Sequence, residues 1–224
     1  MNELKSSNSA YLKHHAQNPI HWKTWSEKTL DTALLENKLI ILSIGYSACH
    51  WCHVMEKETF RNQPIASFMN QNFISIKVDR EEHPDVDNAY MDFIMETKGN
   101  GGWPLNCILM PDTTPLYAGT YFQTKQWMQL INRFNVLHKS HPGTLLDFTQ
   151  KYSQHLEEST GTNKKADFNF SNEFIEWRDF LDIKNGGIYS NQKFPLPTVL
   201  NYSMLAGKSK DWDLFINLTL DKIS

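Results

Sequence analysis

Residues 39–46, "LIILSIGY", are apolar almost without a break, and an Ile-rich run of that length predicts a strand buried on both faces of a sheet. Ahead of it, "SEKTLDTALLENK" (26–38) puts Leu30, Ala33 and Leu34 on one side of a helix that Ser26 can cap. From Cys49 to about Asn62 the composition is helical; Pro64 interrupts it, and "IASFMNQN" resumes a helical period. "FISIKVD" (73–79) alternates Phe73, Ser75 and Lys77 against Ile74, Ile76 and Val78, the period of a strand. Residues 85–98 read as another helix, ended by "GNGG" (99–102). "LNCILM" (105–110) and "LYAGTYF" (116–122) flank the turn "PDTTP", which predicts an antiparallel hairpin. Residues 125–158 are helical again, broken at "SHPG" (140–143). The order α-β-α-β-α-β-β-α predicts a mixed sheet covered by helices on both sides.

Beyond it the pattern fades. "ESTGTNKKADFNFSNE" is polar and low in apolar content, which predicts a linker around 158–170. Three short helical candidates follow, "EFIEWRDFLD", "PTVLNYSMLAGK" and "DWDLFINLTLDKI". Trp22, Trp25, Trp177 and Trp212 read as core anchors.

Composition narrows the function classes. A formal net charge of -3 and no basic stripe argue against a nucleic-acid partner. No apolar run approaches the roughly 18–20 residues that span a bilayer, and the polar N-terminus shows no signal peptide. Three cysteines are too few for a disulfide framework, so the expectation is a cytoplasmic protein in a reducing compartment.

The chemistry concentrates in "SACHWCHVME" (47–56), which supports three readings. Cys49, Cys52 and His53 spell the haem-attachment pattern C-x-x-C-H. That attachment normally takes place outside the cytoplasm, which weakens it for a chain with no visible export signal. Cys49, His50, Cys52 and His53 are four potential zinc ligands, yet the chain has no second C-x-x-C or H-x3-H pair to complete a structural site. The third reading is a dithiol for thiol–disulfide exchange, and here the context helps. Cys49 falls where a buried strand hands over to a helix, a setting that lowers a thiol pKa from its usual value of about 8.5. Cys52 lies one turn on and can resolve a mixed disulfide. His53, four residues after Cys49, and Glu56, four after Cys52, are within helical reach to move protons; the alternative is a plain solvated helix face.

Trp103-Pro104, after Gly101 and Gly102 and before a strand, is the second feature. X-Pro bonds are the ones for which cis is cheap, and a cis form here would bare the Trp103 backbone for an extended peptide. The alternative is a trans Pro that starts a strand. Cys107, inside an apolar strand, reads as a buried inert thiol. "VDREEHPDVD" (78–87) reads as a solvated acidic loop without EF-hand spacing, and His14 and His15 as surface or packing residues.

These parts together resemble the thioredoxin fold. "HHAQNPIHWKTW", "SIGYSACHWCHVMEKETF", "IKVDREEHPDVDNAYM", "GNGGWPLNCILMPD" and "YAGTYF" more specifically resemble the thioredoxin-like domain of the DUF255 family, over roughly 15–122. "GGIYSNQKFPLPTVLNY" (186–202) resembles the stretch that opens that family's second domain, which implies the start of an α/α toroid like sugar epimerases and six-hairpin glycosidases. Three positions depart from pattern. Ser43 stands where thioredoxins carry a buried acid, Ala48 where they carry a Trp, and His21 where the closer family carries an Asp. The missing acid leaves Glu56 or a His as the candidate proton acceptor.

The expectation is therefore an α/β protein: a thioredoxin-fold domain at 1–125, a helical extension and linker at 126–170, and the truncated start of a helical domain at 171–224. The expected function is thiol–disulfide oxidoreduction on a protein or small-molecule thiol or disulfide, with no bound cofactor and no metal. Cys49 attacks, Cys52 resolves, Glu56 and His53 move protons, and His50, Trp51, Trp103 and Pro104 contact the substrate. The rival expectation is a recognition or redox-sensing module that serves the helical domain.

Overall fold

Strand β1 (Ile40–Gly45) lies second in a four-stranded sheet of order β2-β1-β3-β4 in the computed structural model, which describes residues 1–160, 180–189, 197–206 and 210–223. Strand β2 (Ile74–Asp79) runs parallel to β1, whereas β3 (Leu105–Leu109) is antiparallel to β1 and β4 (Pro115–Gly119) antiparallel to β3. The mixed sheet is as the hydrophobic pattern predicts. The last strand is shorter than expected, ending at Gly119 rather than 122. The chain divides into two compact units, Met1–Gly161 and Thr162–Ser224.

The helices of the first unit begin where side chains supply the missing acceptors. Helix α1 (Ala10–His14) starts on Ser9, and α2 (Glu27–Glu36) on Ser26, each hydroxyl accepting a backbone N–H of the first turn. Asn37, in the left-handed region at φ 47°, closes α2. Helix α3 (His50–Met55) passes into a π turn at Glu56–Phe60, and α4 (Gln63–Asn72) begins anew on Asn62. Pro64 thus sits in the first turn of a helix, where its missing N–H costs nothing. Helix α5 (Pro84–Lys98) precedes the hairpin; α6 (Thr124–Ser140) and α7 (Pro142–Thr160) follow it. Phe134 and Leu145 reach the main core, so the helices set apart as an extension belong to the first unit.

Both faces of the sheet are covered. On one lie Ile40, Leu42, Ile44, Ile74, Ile76, Val78, Leu105, Cys107 and Leu109, packed with Ala33 of α2 and Val86, Tyr90, Phe93 and Ile94 of α5. On the other, Ile41 and Ile108 meet α1, α3, α4 and α6 through Tyr11, Met55, Met69 and Trp127. Burying a side chain such as Ile76 or Phe93 is worth about 1.5–3 kcal/mol. The segment before α2 is more structured than its polarity suggests. Lys23 forms a parallel bridge to Ile76 at the β2 edge, and Trp22 is fully buried.

In the second unit, α8 (Pro197–Ala206) and α9 (Lys210–Ile223) contribute Leu200, Phe215 and Ile216 to a small core with Leu181. The expected linker past residue 160, most of the first helical candidate and Trp177 lie outside the described residues.

Candidate functional site

Cys49 is the N-cap of α3 and forms a disulfide with Cys52. The strand-to-helix handover expected from the sequence is therefore where the sulfurs sit. The backbone N–H of Cys52 donates to Cys49 Sγ at 3.2 Å. Both cysteines are largely covered, at 3 % and 1 % relative exposure, with Cys52 the deeper. Tyr46 and Trp103 pack on this cluster.

The Trp103–Pro104 peptide is cis, and Pro104 is buried ahead of β3. Trp103 is pinned from two directions: its Nε1–H donates to Asp87 Oδ1 at 2.7 Å, and the Arg80 guanidinium lies 3.9 Å from its ring centre. Arg80 also pairs with Asp87 at 3.2 Å. This corrects the reading of 78–87 as a solvated loop. Asp79 and Asp87 are both buried, Asp79 accepting from Ser9 Oγ at 2.6 Å, because the acidic run supplies acceptors to neighbouring elements.

On the outer side, Trp51 is 53 % exposed and its ring lies between His50 (5.6 Å) and Tyr121 (5.1 Å). The Tyr121 hydroxyl donates to Glu58. His53 places its Nε2 2.8 Å from the Ser47 carbonyl and its ring 5.0 Å from that of His14. That bond fixes the loop leading into Cys49 and engages one of the two ring nitrogens. Glu56 does not lie on a solvated face. It is fully buried, its Oε1 accepting from Asn18 Nδ2 at 2.8 Å and Arg61 Nε at 2.6 Å, because it lies four residues after the buried Cys52 on the same inward face.

Asn18 is the hub of a layer that the sequence reading did not single out. Its Oδ1 accepts from His15 Nδ1 (3.0 Å) and Trp22 Nε1 (3.1 Å). His15 is fully buried rather than on the surface, and burial followed by the Lys77 charge pushes its pKa well below the ordinary value. Lys77 is buried too. Its Nζ donates to Tyr11 OH at 2.6 Å, Ser43 Oγ at 2.9 Å and Ser43 O at 3.4 Å, and burial lowers its pKa to about 7. The signal for it was a lysine inside a strand whose parallel neighbour is apolar except at Ser43, its register partner. Among the described residues, no group of three or more His, Cys, Asp or Glu is placed to hold a metal ion. Cys107 is buried, and burial raises its pKa.

A β-α-β-α-β-β core of this strand order, with a C-x-x-C disulfide at the end of β1 and helices on both faces, defines a thioredoxin-like module. The chain belongs to the DUF255 family: the Thioredox_DsbH family, described as a protein of unknown function, DUF255, matches residues 1–159. Spermatogenesis-associated protein 20 of Rattus norvegicus is 40% identical over 215 residues, which are 90% of this chain and 27% of that protein. The uncharacterized protein B0495.5 of Caenorhabditis elegans is 35% identical over 238 residues, 100% of this chain and 33% of its own. The chain thus spans about a quarter to a third of these relatives. Among solved structures, a DsbH oxidoreductase matches with a TM-score of 0.40 and 15% identity, over 51% of this chain and 83% of that one. A thioredoxin from Thermus thermophilus matches at 0.43 and 11%, over 53% and 89%.

Proposed function

We propose that the first unit is a thiol–disulfide oxidoreductase acting on a protein or small-molecule disulfide. The observation that carries this reading is the Cys49–Cys52 disulfide at the start of α3, with the Trp103–Pro104 segment packed beside it. In the reduced state Cys49 attacks, because the Cys52 N–H that now points at its sulfur stabilises a thiolate. A bond forms from Cys49 Sγ to one partner sulfur and the other leaves as thiolate. Cys52 then attacks Cys49, the internal disulfide closes, and the second partner thiol departs; the dithiol gives up two electrons and the partner disulfide gains them. The Trp103 backbone pairs with the partner chain, and Trp51 and His50 flank it. His53 holds the loop before Cys49, and Glu56 anchors the π turn. The chemistry needs no bound cofactor, and the cytoplasm is the compartment we assign.

Equilibration in glutathione and dithiothreitol buffers, with thiol trapping and mass spectrometry, tests the reading. A reversible Cys49–Cys52 bond with a potential between roughly -270 and -120 mV supports it. A pair that stays oxidised or reduced across all buffers overturns it.

The low exposure of both sulfurs favours a second reading, a recognition or redox-sensing module for a helical, glycosidase-like domain. Replacing both cysteines separates the two: a recognition module keeps its binding, and an oxidoreductase loses its exchange.

A further inference from the structure

Gly45, the last residue of β1, marks the meeting point of the disulfide and the buried polar layer. A Cβ on Gly45 would fall within 2.6 Å of both the Tyr11 hydroxyl and Cys52 Sγ. The hydroxyl and the sulfur therefore share the space that the missing side chain leaves. Behind the hydroxyl, 2.6 Å away, stands Lys77 Nζ, whose other partners are the Ser43 hydroxyl and carbonyl. All three hydrogen-bonding oxygens are neutral. The rings of Tyr11, Trp22 and Phe60 lie 4.7, 5.7 and 5.7 Å from the amine. A fully buried amine with neutral partners is held close to its uncharged form, ready to accept a proton near neutral pH.

We propose that Tyr11 and Lys77 form the proton path of Cys52. The inference rests on the oxidoreductase reading and adds how its second step works. In the mixed disulfide, the Cys52 thiol passes its proton to the Tyr11 oxygen while the Tyr11 O–H passes its own to the uncharged Lys77 amine. Cys52 Sγ attacks Cys49 Sγ, the Cys49–Cys52 bond forms, and the bond from Cys49 to the partner sulfur breaks. The electron pair leaves with the partner thiolate, which takes a proton from water. Reduction by an external thiol runs the path backwards, and the Lys77 ammonium returns its proton to Cys52.

The other groups facing Lys77 set the pH at which the path operates. Asp79 on β2 and Glu56 on the π turn favour its charged form, whereas burial opposes it more strongly. His15, after α1, is repelled by a charged Lys77 and stays neutral. Glu56 is tied to Asn18 and Arg61 through Oε1 while its buried Oε2 has no hydrogen-bond partner among the described residues, and His53 Nε2 meets the Ser47 carbonyl. Burial also raises the Tyr11 pKa, so its hydroxyl carries a proton across rather than giving it up.

The test compares the wild type, Lys77→Met and Tyr11→Phe, with two readouts. The first is the ultraviolet thiolate absorbance of Cys52 against pH, each variant being read in a Cys49→Ser background. The second is the rate at which Cys52 releases a chromophoric thiol from a preformed Cys49 mixed disulfide. Lys77→Met is expected to move the thiolate midpoint up by about one pH unit or more and to slow release at pH 7 on the order of 10²-fold. Tyr11→Phe keeps the amine and is expected to slow release comparably, which separates a proton path from the field of a charge. Unchanged midpoints and release rates in both variants overturn the proposal. If wild-type protein fails to exchange with any disulfide yet the midpoint still shifts, the oxidoreductase reading falls and the Lys77–Cys52 coupling stands. Should both variants fail to fold, NMR titration of the wild-type Lys77 amine decides: a different midpoint in the oxidised and reduced protein supports the path, and identical midpoints overturn it.

Discussion

On one face of the sheet, Ile40, Leu42, Ile44, Ile74, Ile76 and Val78 form an apolar layer with Cys107 under α2 and α5. On the other, the same two strands present Ser43, Gly45, Ser75, Lys77 and Asp79 among their residues, in register so that Ser43 lies beside Lys77 and Gly45 beside Asp79. Both layers are buried, and each holds cysteine. The apolar layer buries its thiol among hydrocarbon side chains, and that burial raises the thiol pKa. The polar layer on the disulfide's side of the sheet holds two hydrogen-bonded groups, His15–Asn18–Glu56 and Tyr11–Lys77–Ser43. Depth alone does not distinguish Cys52 from Cys107; the groups behind each sulfur do.

Replacing both Cys49 and Cys52 with Ser has the largest expected effect, loss of all exchange with retained far-UV circular dichroism. Retained exchange would shift the chemistry to Cys107 and dissolve the contrast. Neighbouring residues of β2 come next. Ile76→Ala should lower stability by about 2–5 kcal/mol in urea melts, the cost of a large-to-small change in a packed layer. Lys77→Met should leave stability equal or higher, because a buried amine carries a desolvation cost that Met removes. A comparable loss from both would show that the polar layer is structural.

The pH dependence of stability sharpens the same comparison. The Lys77 pKa is depressed from 10.5 to about 7, so between those values the unfolded chain binds the extra proton. Wild-type stability should therefore gain from Lys77 as pH rises from about 7 towards 10, and the gain should vanish in Lys77→Met. Parallel slopes for the two proteins would place the charge in water. Alkylation gives a further check: Cys107 should react only in denaturant, and Cys49 in the reduced native protein. The smallest effect belongs to Trp51→Ala, with stability changed by no more than about 0.5 kcal/mol while KM for a peptide disulfide rises.

Much of the architecture was legible from the chain, and the reason is local. "LIILSIG" and "FISIKVD" declare their strands by run and alternation, and Ser26 and "GNGG" bound their helices. The dithiol and the Trp103–Pro104 segment are likewise contiguous motifs. The polar layer is not contiguous. Tyr11, Asn18, Ser43, Glu56 and Lys77 come from five separate stretches; the dithiol and the missing acid point to Glu56 and Ser43, whereas Tyr11, Asn18 and Lys77 each read alone as ordinary residues. A period of two tells that Lys77 and Ile76 face opposite ways; it does not tell that α1 and the π turn shut the Lys77 side from water. Glu56 shows the same limit, since an α-helical count places it one turn after Cys52 without telling that this face is buried. Asp79 and Asp87 were hidden by a run of charge that looks solvated until its partners Ser9, Arg80 and Trp103 are seen.

The central claim, that Cys49 is the attacking thiol of an exchange enzyme, meets its most direct test in the Cys52→Ser variant. Reduced and mixed with a disulfide-bonded peptide, that variant has no resolving thiol, so a mixed disulfide should accumulate at Cys49 and at no other cysteine in mass spectra. No adduct at Cys49, under conditions in which the peptide disulfide reacts with free thiols, would contradict the account and leave a recognition module in its place.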